Sequence, residues 1–313
     1  MTFSLYNPLD LPDPVPYFIP YFLILIALEY FLFLRKKKEL NTYDYKDAAA
    51  SISMGLGSMI IDLGIKAVAL GYLFWFFQFG IFKAELSPSS MEEFMTWQWH
   101  KSHWWVWLLL FIVQDFIFYW YHRFGHEVRI LWAGHVNHHS SERMNFSTAL
   151  RQSWLELLYK DLFYIPLALI GFHPAMILIM HQISLIYQFG PHTEAIKKLG
   201  WLEYIFNTPS HHRVHHSSEL RYLDKNYGGI LIVWDRIFGT FKEEDTMPTY
   251  GITKNIHTFN LFKIAFHELG AVIKDVRRAP TIRAKLHYIF DAPGYSHDGP
   301  DLRAKTLQKD LKS

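Results

Sequence analysis

Five long apolar blocks divide the sequence, and they restrict the possible fold more than any other feature. The blocks cover residues 17–34, 49–82, 104–121, 155–170 and 175–189. A helix rises about 1.5 Å per residue, so about 20 apolar residues cross a hydrocarbon core of about 30 Å. We therefore expect an all-α, polytopic membrane protein with about four to five transmembrane helices.

The composition agrees with a membrane protein and excludes several other classes. Half of the residues are hydrophobic and 19% are charged, whereas soluble domains are about one-quarter charged. The chain has no cysteine, which excludes disulfides, thiolate metal sites and iron–sulfur clusters. Its net charge of +2 is too small to indicate a nucleic-acid partner, and we expect none.

The distribution of basic residues predicts the orientation of the chain. The run RKKK at 35–38 follows the first apolar block at once, so the positive-inside rule places this run in the cytoplasm and the N-terminus outside. Counting crossings from there, with residues 155–189 as a hairpin, the dense histidine clusters between residues 122 and 216 all emerge on the cytoplasmic face and form a helical cap there. Residues 245–313 are predicted to be interfacial, because 259–278 has an amphipathic helical pattern.

We expect one membrane-embedded domain over residues 1–313, since no second stretch has the composition of a separate core. Such a chain would lie in the inner membrane of a bacterium or in the endoplasmic reticulum of a eukaryote.

Histidine is the residue type that carries the chemistry. Twelve of the 18 histidines fall between residues 122 and 216. Eight of these lie in three clusters whose spacing of three or four residues places imidazoles on one face of a helix. The clusters are His122 and His126; His135, His138 and His139; and His212, His215 and His216. Thr208 and Pro209 before the third cluster predict the N-cap and first turn of a helix.

Isolated histidines usually serve as hydrogen-bonded filler, but clustered imidazoles repel each other when protonated and waste buried polarity when neutral. We therefore predict that the eight clustered histidines bind two metal ions. His192, which lies 20 residues before His212, is predicted to be a ninth ligand.

Imidazole ligands suit iron, copper and zinc, whereas calcium and magnesium prefer oxygen. The zinc-peptidase motif fails, because Ile130 stands where that motif needs its second histidine after His126 and Glu127. A pair of iron ions with open positions suits O2, although zinc is also expected to enter such sites in overexpressed protein. A metal transporter is a remote alternative, because transporters place their ligands near the bilayer midplane on broken helices.

Several polar residues are predicted to assist the metal ligands. Glu127 is predicted to be an iron ligand, a proton donor or a hydrogen-bond acceptor, with a plain surface role as the alternative. Asp115 lies on the same helical face as His122, so we expect it to hydrogen-bond a ligand histidine in preference to Lys66. Arg151 is predicted to hold a polar headgroup or a carboxylate, or to anchor the chain at the interface. Further residues predicted to support the metal or the substrate are Asn137, Glu194, His211, Asp224 and Asp235.

The clusters and their flanks resemble the histidine boxes of the membrane fatty acid hydroxylase/sterol desaturase superfamily, and within it those of the alkylglycerol monooxygenase branch. The resembling stretches are DFIFYWYHRFGHE at 115–127, WAGHVNHHSSERMNFSTALRQS at 132–153, and 187–241, which contains NTPSHHRVHH and WDRIFGTF. The resemblance covers roughly residues 50–310. By this resemblance, the eight clustered histidines and Glu127 stand at positions that the family needs for activity. His192 corresponds to the family's histidine before Thr-Glu, and Asp235 falls in its Trp-Asp signature.

The resemblance implies a non-haem di-iron site, O2 and hydroxylation of a lipid carbon. In the alkylglycerol monooxygenase branch this carbon adjoins the ether oxygen of an alkyl lipid, the product separates into an aldehyde and glycerol, and tetrahydrobiopterin is the reductant. A sterol, fatty-acyl or ornithine-lipid hydroxylase or desaturase of the same superfamily is the alternative. The expected partners are a membrane lipid and an external electron donor, and the sequence carries no signal for an oligomeric state.

Overall fold

A computed structural model describes residues 14–35, 43–88, 93 and 101–310 of the chain. All regular elements in these residues are helical, and the extended pairings are two isolated bridges, Phe206 with Leu231 and Ser217 with Tyr250. The predicted all-α class is confirmed. The N-terminal tail and residues 36–38 of the basic run, on which the predicted orientation depends, lie outside the described residues.

The described α-helices range from four to 33 residues. In chain order the described α-helices are α1 (Val15–Arg35), α2 (Tyr45–Phe77), α3 (Lys83–Leu86), α4 (Trp104–Glu127), α5 (Arg129–His139), α6 (Ile165–Ile170), α7 (Pro174–Phe189), α8 (Pro209–His215), α9 (Val233–Ile237), α10 (Leu261–Arg278), α11 (Ile282–Phe290) and α12 (Ala304–Asp310).

Two of the described helices, α2 with 33 residues and α4 with 24, are long and apolar enough to cross a membrane. Shorter apolar stretches lie in α1 and α7. The outer face of α2 exposes Leu56, Ile60 and Leu63 to between 57% and 73%. Large apolar side chains in such a row form a surface that water does not favour and that lipid does.

The fourth apolar block differs from the continuous helix expected there. Residues 155–170 form two 3₁₀ turns, Glu156–Leu158 and Lys160–Tyr164, before the six-residue helix α6. Pro166 lies in the first turn of α6 and has no N–H group, so a helix cannot run through it from the preceding turns. Asp161 in the same stretch is buried. Its side chain therefore lies inside the protein, which does not fit a helix surrounded by lipid.

The largest apolar core packs α4 against α2, α6 and α7. Leu73 of α2, Leu110 of α4, Leu167 of α6 and Met176 of α7 are all buried in it, and so is Phe172 between α6 and α7. This core holds the first half of α4 in place. The helix therefore delivers its last two turns, which carry the first histidine cluster, to a fixed position.

The predicted amphipathic segment at 259–278 is present as α10. The side chain of Asn260 caps its first turn by accepting a hydrogen bond from the Lys263 amide at 2.9 Å. Ile264 and Ala265 pack against buried residues of α2, whereas the Phe262 side chain is 69% exposed. Helix α10 therefore connects α2 to the histidine region, and its outer face stays apolar.

Candidate metal centre

The structure collects nine histidines into two adjoining groups. In each group one ring nitrogen or equivalent ligand atom per residue lies within 4.8 Å of all the others. The five-histidine group is formed by His122, His126, His135, His139 and His215. The four-histidine group is formed by His138, His192, His212 and His216. All nine were predicted to be ligands, and the structure brings them together; their role as ligands stays a prediction.

Three short helical segments position eight of these side chains, and His192 lies just after α7. The last turns of α4 carry the first cluster, and only Val128, in an extended conformation, separates α4 from α5. Helix α5 then folds back onto the site. This path depends on Gly134, because a Cβ atom there would lie 2.5 Å from the Tyr159 hydroxyl. Helix α8 begins at Pro209 after Thr208, as the sequence predicts.

The helical spacing divides the second and third clusters between the two groups, whereas His122 and His126 both enter the five-histidine group. On α5, His135 and His139 are four residues apart and enter the five-histidine group, whereas His138 enters the other. On α8 and its C-terminal cap, His215 enters the five-histidine group and its two cluster partners enter the four-histidine group. The groups adjoin closely, because the ring of His139 stacks on that of His216 with centroids 4.3 Å apart.

The hydrogen bonds of two rings test whether this arrangement suits a metal ion. Nδ1 of His122 donates to the Tyr227 carbonyl at 2.8 Å, and Nδ1 of His135 donates to Glu156 Oε1 at 3.2 Å. Both protons are therefore on Nδ1, and each Nε2 presents a lone pair. These Nε2 atoms lie only 3.0 Å apart. Two lone pairs at that separation repel, and a shared cation is the partner that satisfies both.

Two further rings also donate a hydrogen bond from Nδ1 to a backbone carbonyl. His192 Nδ1 donates to the Gln188 carbonyl at 2.8 Å, and His215 Nδ1 donates to the Lys225 carbonyl at 3.0 Å. The Nε2 atoms of His126 and His215 are buried and have no hydrogen-bond partner among the described residues. Since buried polar atoms are normally satisfied, these nitrogens also fit a metal ion bound by the five-histidine group.

Burial keeps the imidazoles in the neutral form that binds metals. It lowers the pKa of His192 to about 4 and that of His215 to about 3. Burial, reinforced by neighbouring imidazoles, also holds the pKa values of His139 and His216 well below the usual range. These rings are therefore neutral at physiological pH, and a metal ion does not have to displace protons from them.

Glu156 is a carboxylate that hydrogen-bonds a grouped histidine, and sequence reasoning missed it. Its Oε1 atom accepts hydrogen bonds from His135 Nδ1 and from the Tyr121 hydroxyl. Burial alone would raise the pKa of Glu156, but its contacts with His135, Tyr121 and Lys160 lower it, so the carboxylate is ionised. The signal was an acidic residue near the start of an apolar block, where a charge is retained only with a partner.

The hydrogen bonds of Glu127 and Asp115 go to partners other than the ring nitrogens of the nine histidines. The Glu127 carboxylate accepts from Arg123 Nε at 3.1 Å and from Lys305 Nζ at 2.9 Å. In place of the expected bond to a histidine, Asp115 accepts from the amides of Ile230 and Leu231 and from the Trp234 indole; these three bonds measure 2.9 to 3.1 Å. The catalytic roles of Glu127 and Asp115 stay predictions.

Residues 225–231, here called the carbonyl loop, connect Asp115 and Asp235 to the five-histidine group. Asp235 accepts hydrogen bonds from the amides of Tyr227 and Gly228 at 2.8 and 2.7 Å, while Asp115 holds the far end of the loop. The loop's own carbonyls at Lys225 and Tyr227 orient His215 and His122. Asp115 and Asp235 therefore act on the five-histidine group through the backbone.

The interfacial role considered for Arg151 is wrong, because its side chain is only 1% exposed. Arg151 instead binds a carboxylate of the chain itself: Nη1 lies 3.1 Å from Asp47 Oδ1 and 3.2 Å from Ser51 Oγ. Its Nε donates to the Asn137 carbonyl at 3.2 Å. The Asn137 side chain is buried too and donates to Ser153 Oγ at 3.0 Å. Both residues fix the end of α5.

The remaining predicted residues lie around the two groups. Asp224 Oδ1 is 3.9 Å from His126 Nδ1, and burial raises the pKa of Asp224 to about 6. His211 belongs to neither group, although it precedes His212; burial lowers its pKa to about 4, and Glu203 lies 3.9 Å away. The Glu194 side chain hydrogen-bonds Tyr250.

Glu29, the single charge in the first apolar block, reaches the four-histidine group from α1. Its carboxylate is 2% exposed and accepts from the Tyr43 hydroxyl at 2.5 Å, from the Phe146 amide at 2.8 Å, and from the Thr193 hydroxyl. Thr193 directly follows His192. Glu29 therefore attaches helix α1 to the backbone that presents this ring.

A cavity of about 960 Å³ opens on one side of the metal centre. His126, His139 and His215 form part of its wall, and no member of the four-histidine group lines it. The opposite wall is formed by α10 and by residues 251–258. The cavity therefore gives access to the five-histidine group from the side of α10.

Residues 107–240 match the fatty acid hydroxylase family, and all nine grouped histidines fall within that range. The match covers less than half of the 313 residues. It confirms the predicted resemblance to the fatty acid hydroxylase/sterol desaturase superfamily. No solved structure gives a significant match.

Curated proteins to which this chain is similar include alkylglycerol monooxygenases. The protein of that name from Homo sapiens is 40% identical over 296 residues, which cover 94% of this chain and 62% of the human protein. The Danio rerio protein is 39% identical over 311 residues, covering 96% of this chain and 66% of the relative. This chain thus spans less than two-thirds of the length of these relatives. An ornithine lipid hydroxylase from Rhizobium tropici is 33% identical over 151 residues, or 45% of this chain and 46% of the relative.

Proposed function

We propose that this protein is an O2-dependent di-iron lipid monooxygenase that hydroxylates the carbon next to the ether oxygen of an alkyl lipid. The observation that carries the proposal is the pair of adjoining histidine groups, in which buried neutral imidazoles present facing lone pairs. The similarity to alkylglycerol monooxygenases over nearly the whole chain supports this choice of substrate.

Two iron ions bound by the nine histidines would supply the activation of O2 for insertion into a C–H bond. The residues of the chain prepare the site for that chemistry. The carbonyls of Tyr227, Lys225 and Gln188 fix the tautomers of three rings, and the Glu156 carboxylate fixes a fourth. Burial of these rings excludes water, and the cavity beside them leaves one direction open to substrate.

We propose a single domain of residues 1–313 with about four to five membrane crossings, for which α1, α2, α4 and α7 supply the apolar helices and residues 155–170 return the chain between α4 and α7. The last turns of α4 carry His122 and His126, and His192 lies just after α7, so both helices end at the histidine groups. This supports a cap on one face of the membrane, and the positive-inside rule favours the cytoplasmic face with the N-terminus outside. The membrane is the inner membrane in a bacterium or the endoplasmic reticulum in a eukaryote.

The proposed reductant is tetrahydrobiopterin or another external electron donor. The second candidate function is the hydroxylation of an ornithine lipid, a fatty acyl chain or a sterol. The observation that favours it is the similarity to an ornithine lipid hydroxylase, whose aligned region includes close to half of this chain.

The test uses purified full-length protein loaded with iron and supplied with O2 and tetrahydrobiopterin. We expect about two iron ions per chain and conversion of a 1-O-alkylglycerol to a fatty aldehyde and glycerol. Hydroxylated ornithine lipid or fatty acid, with the alkylglycerol untouched, would favour the second candidate. Full activity with one metal ion or fewer per chain would contradict the di-iron site.

A further inference from the structure

We infer that the alkyl chain of the substrate occupies the cavity between α5 and α10, so that the reacting carbon meets the five-histidine group and not the four-histidine group. This inference rests on the proposed lipid monooxygenase function, and it assigns different tasks to the two halves of the metal centre. The five-histidine group faces substrate, and the four-histidine group is closed to it.

The shape of the cavity is the first argument. Three rings of the five-histidine group line it, and none of the four-histidine group does. The rings of both groups are largely buried, so the groups differ in which rings the cavity reaches and not in exposure. His192 is closed off by its bond to the Gln188 carbonyl and by the attachment of Thr193 to Glu29.

The chemistry of the walls is the second argument. Trp132 and Val136 of α5 face Phe262 and Phe266 of α10 across the cavity, and side chains of this kind suit an alkyl chain. Arg129 also lines the cavity, but its charge is compensated by Glu268 at 2.9 Å and Asp275 at 2.7 Å. A volume of about 960 Å³ lies at the upper end of the range of about 300 to 1,000 Å³ that is usual for ligand sites.

The position of the mouth is the third argument. Helix α10 exposes Phe259 before its first turn and Phe262 within it, by 45% and 69%. Two exposed lysines, Lys254 and Lys263, lie beside them on the cavity wall. Aromatic and cationic side chains together are typical of a helix that lies at a lipid surface. A lipid would therefore enter the cavity past α10.

The test maps the bound chain by photolabelling, a readout that does not depend on turnover. Full-length, metal-loaded protein in detergent is irradiated with a 1-O-alkylglycerol that carries a diazirine near the ether end of its alkyl chain, and labelled peptides are identified by mass spectrometry. We expect labels in residues 132–139 and 252–271. Labels confined to residues 181–192, beside the four-histidine group, would overturn the inference.

Two neighbouring positions on α10 provide a matched pair. Ala271 lines the cavity, whereas a Cβ atom added at Gly270 meets no other atom within 4 Å. We expect Ala271→Trp to abolish labelling of 132–139 and raise KM while metal content stays unchanged, and we expect Gly270→Trp to label as the unmodified protein does. Equal labelling in both variants would overturn the inference.

The unmodified protein separates this inference from the proposed function. Aldehyde release together with labels away from the cavity would refute the inference and leave the function standing. Correct labels without any oxygenated product would refute the function.

Discussion

Nδ1 of His135 donates a hydrogen bond to Glu156 across 3.2 Å, and this contact ties the five-histidine group to an irregular stretch of the membrane region. Glu156→Gln keeps a hydrogen-bond acceptor but removes the charge that stabilises the Nδ1 proton. Loss of such a partner weakens metal binding by about 10-fold to 100-fold. Chelator competition on the purified protein measures this affinity. Unchanged affinity would mean that the Glu156 charge has no effect on the metal.

Glu127→Gln is expected to act differently, because Glu127 pairs with Arg123 and Lys305 and not with a ring nitrogen. We predict that metal content is retained and that turnover falls by about 100-fold, as when a proton-transfer group is removed. The measurement is aldehyde release per bound iron. Normal turnover in this variant would limit Glu127 to attaching the C-terminal segment to α4.

His212 and His211 are adjacent in sequence, but only His212 belongs to a group. His212→Ala removes one of four ligands, so we expect loss of one metal ion per chain and of activity. His211→Asn is the matched control and should retain both ions. Elemental analysis of the two purified variants decides between them; equal metal content would refute the assignment of the four-histidine group.

Arg151 and Asp47 form a buried ion pair between the end of α5 and the start of α2. Arg151→Met leaves the Asp47 carboxylate without its cation, which costs about 3 to 5 kcal/mol of unfolding free energy. The double variant with Asp47→Asn should recover part of that loss. Thermal unfolding in detergent measures both, and a double variant no more stable than Arg151→Met would argue against the pair.

Glu29→Ala is expected to weaken metal binding at the four-histidine group, because Thr193 beside His192 loses its acceptor. It leaves the buried Phe146 amide unpaired as well, at a cost of about 1 to 3 kcal/mol in unfolding free energy. Glu29→Gln, which keeps an acceptor oxygen, should restore most of the metal binding. Loss of stability in Glu29→Ala without loss of metal would show that Glu29 supports the fold alone.

The sequence predicted those parts of the structure that depend on local periodicity. Spacings of three and four residues placed the clusters on helices, and Thr208 with Pro209 marked the start of α8. The division into five and four histidines could not be predicted from the sequence, because it depends on how α4, α5 and α8 are rotated against one another. Long-range pairs were missed for the same reason: Arg151 and Asp47 are separated by 104 residues.

The fourth apolar block shows the opposite limit of sequence reasoning. Its composition matches a membrane helix, yet Glu156 turns toward His135 and Pro166 interrupts the backbone. Hydropathy averages over such residues, whereas the fold responds to each of them separately.

The carbonyl loop couples metal supply to the folding of the chain. Its carbonyls at Lys225 and Tyr227 hold two rings that repel other nitrogens unless a cation lies between them. Loading the five-histidine group and ordering this loop are therefore parts of one equilibrium. Amide hydrogen exchange at Tyr227, Gly228 and Ile230 would then report iron occupancy. We therefore expect iron-starved cells to contain less of the protein, because chains without metal are less stable and are removed by proteases.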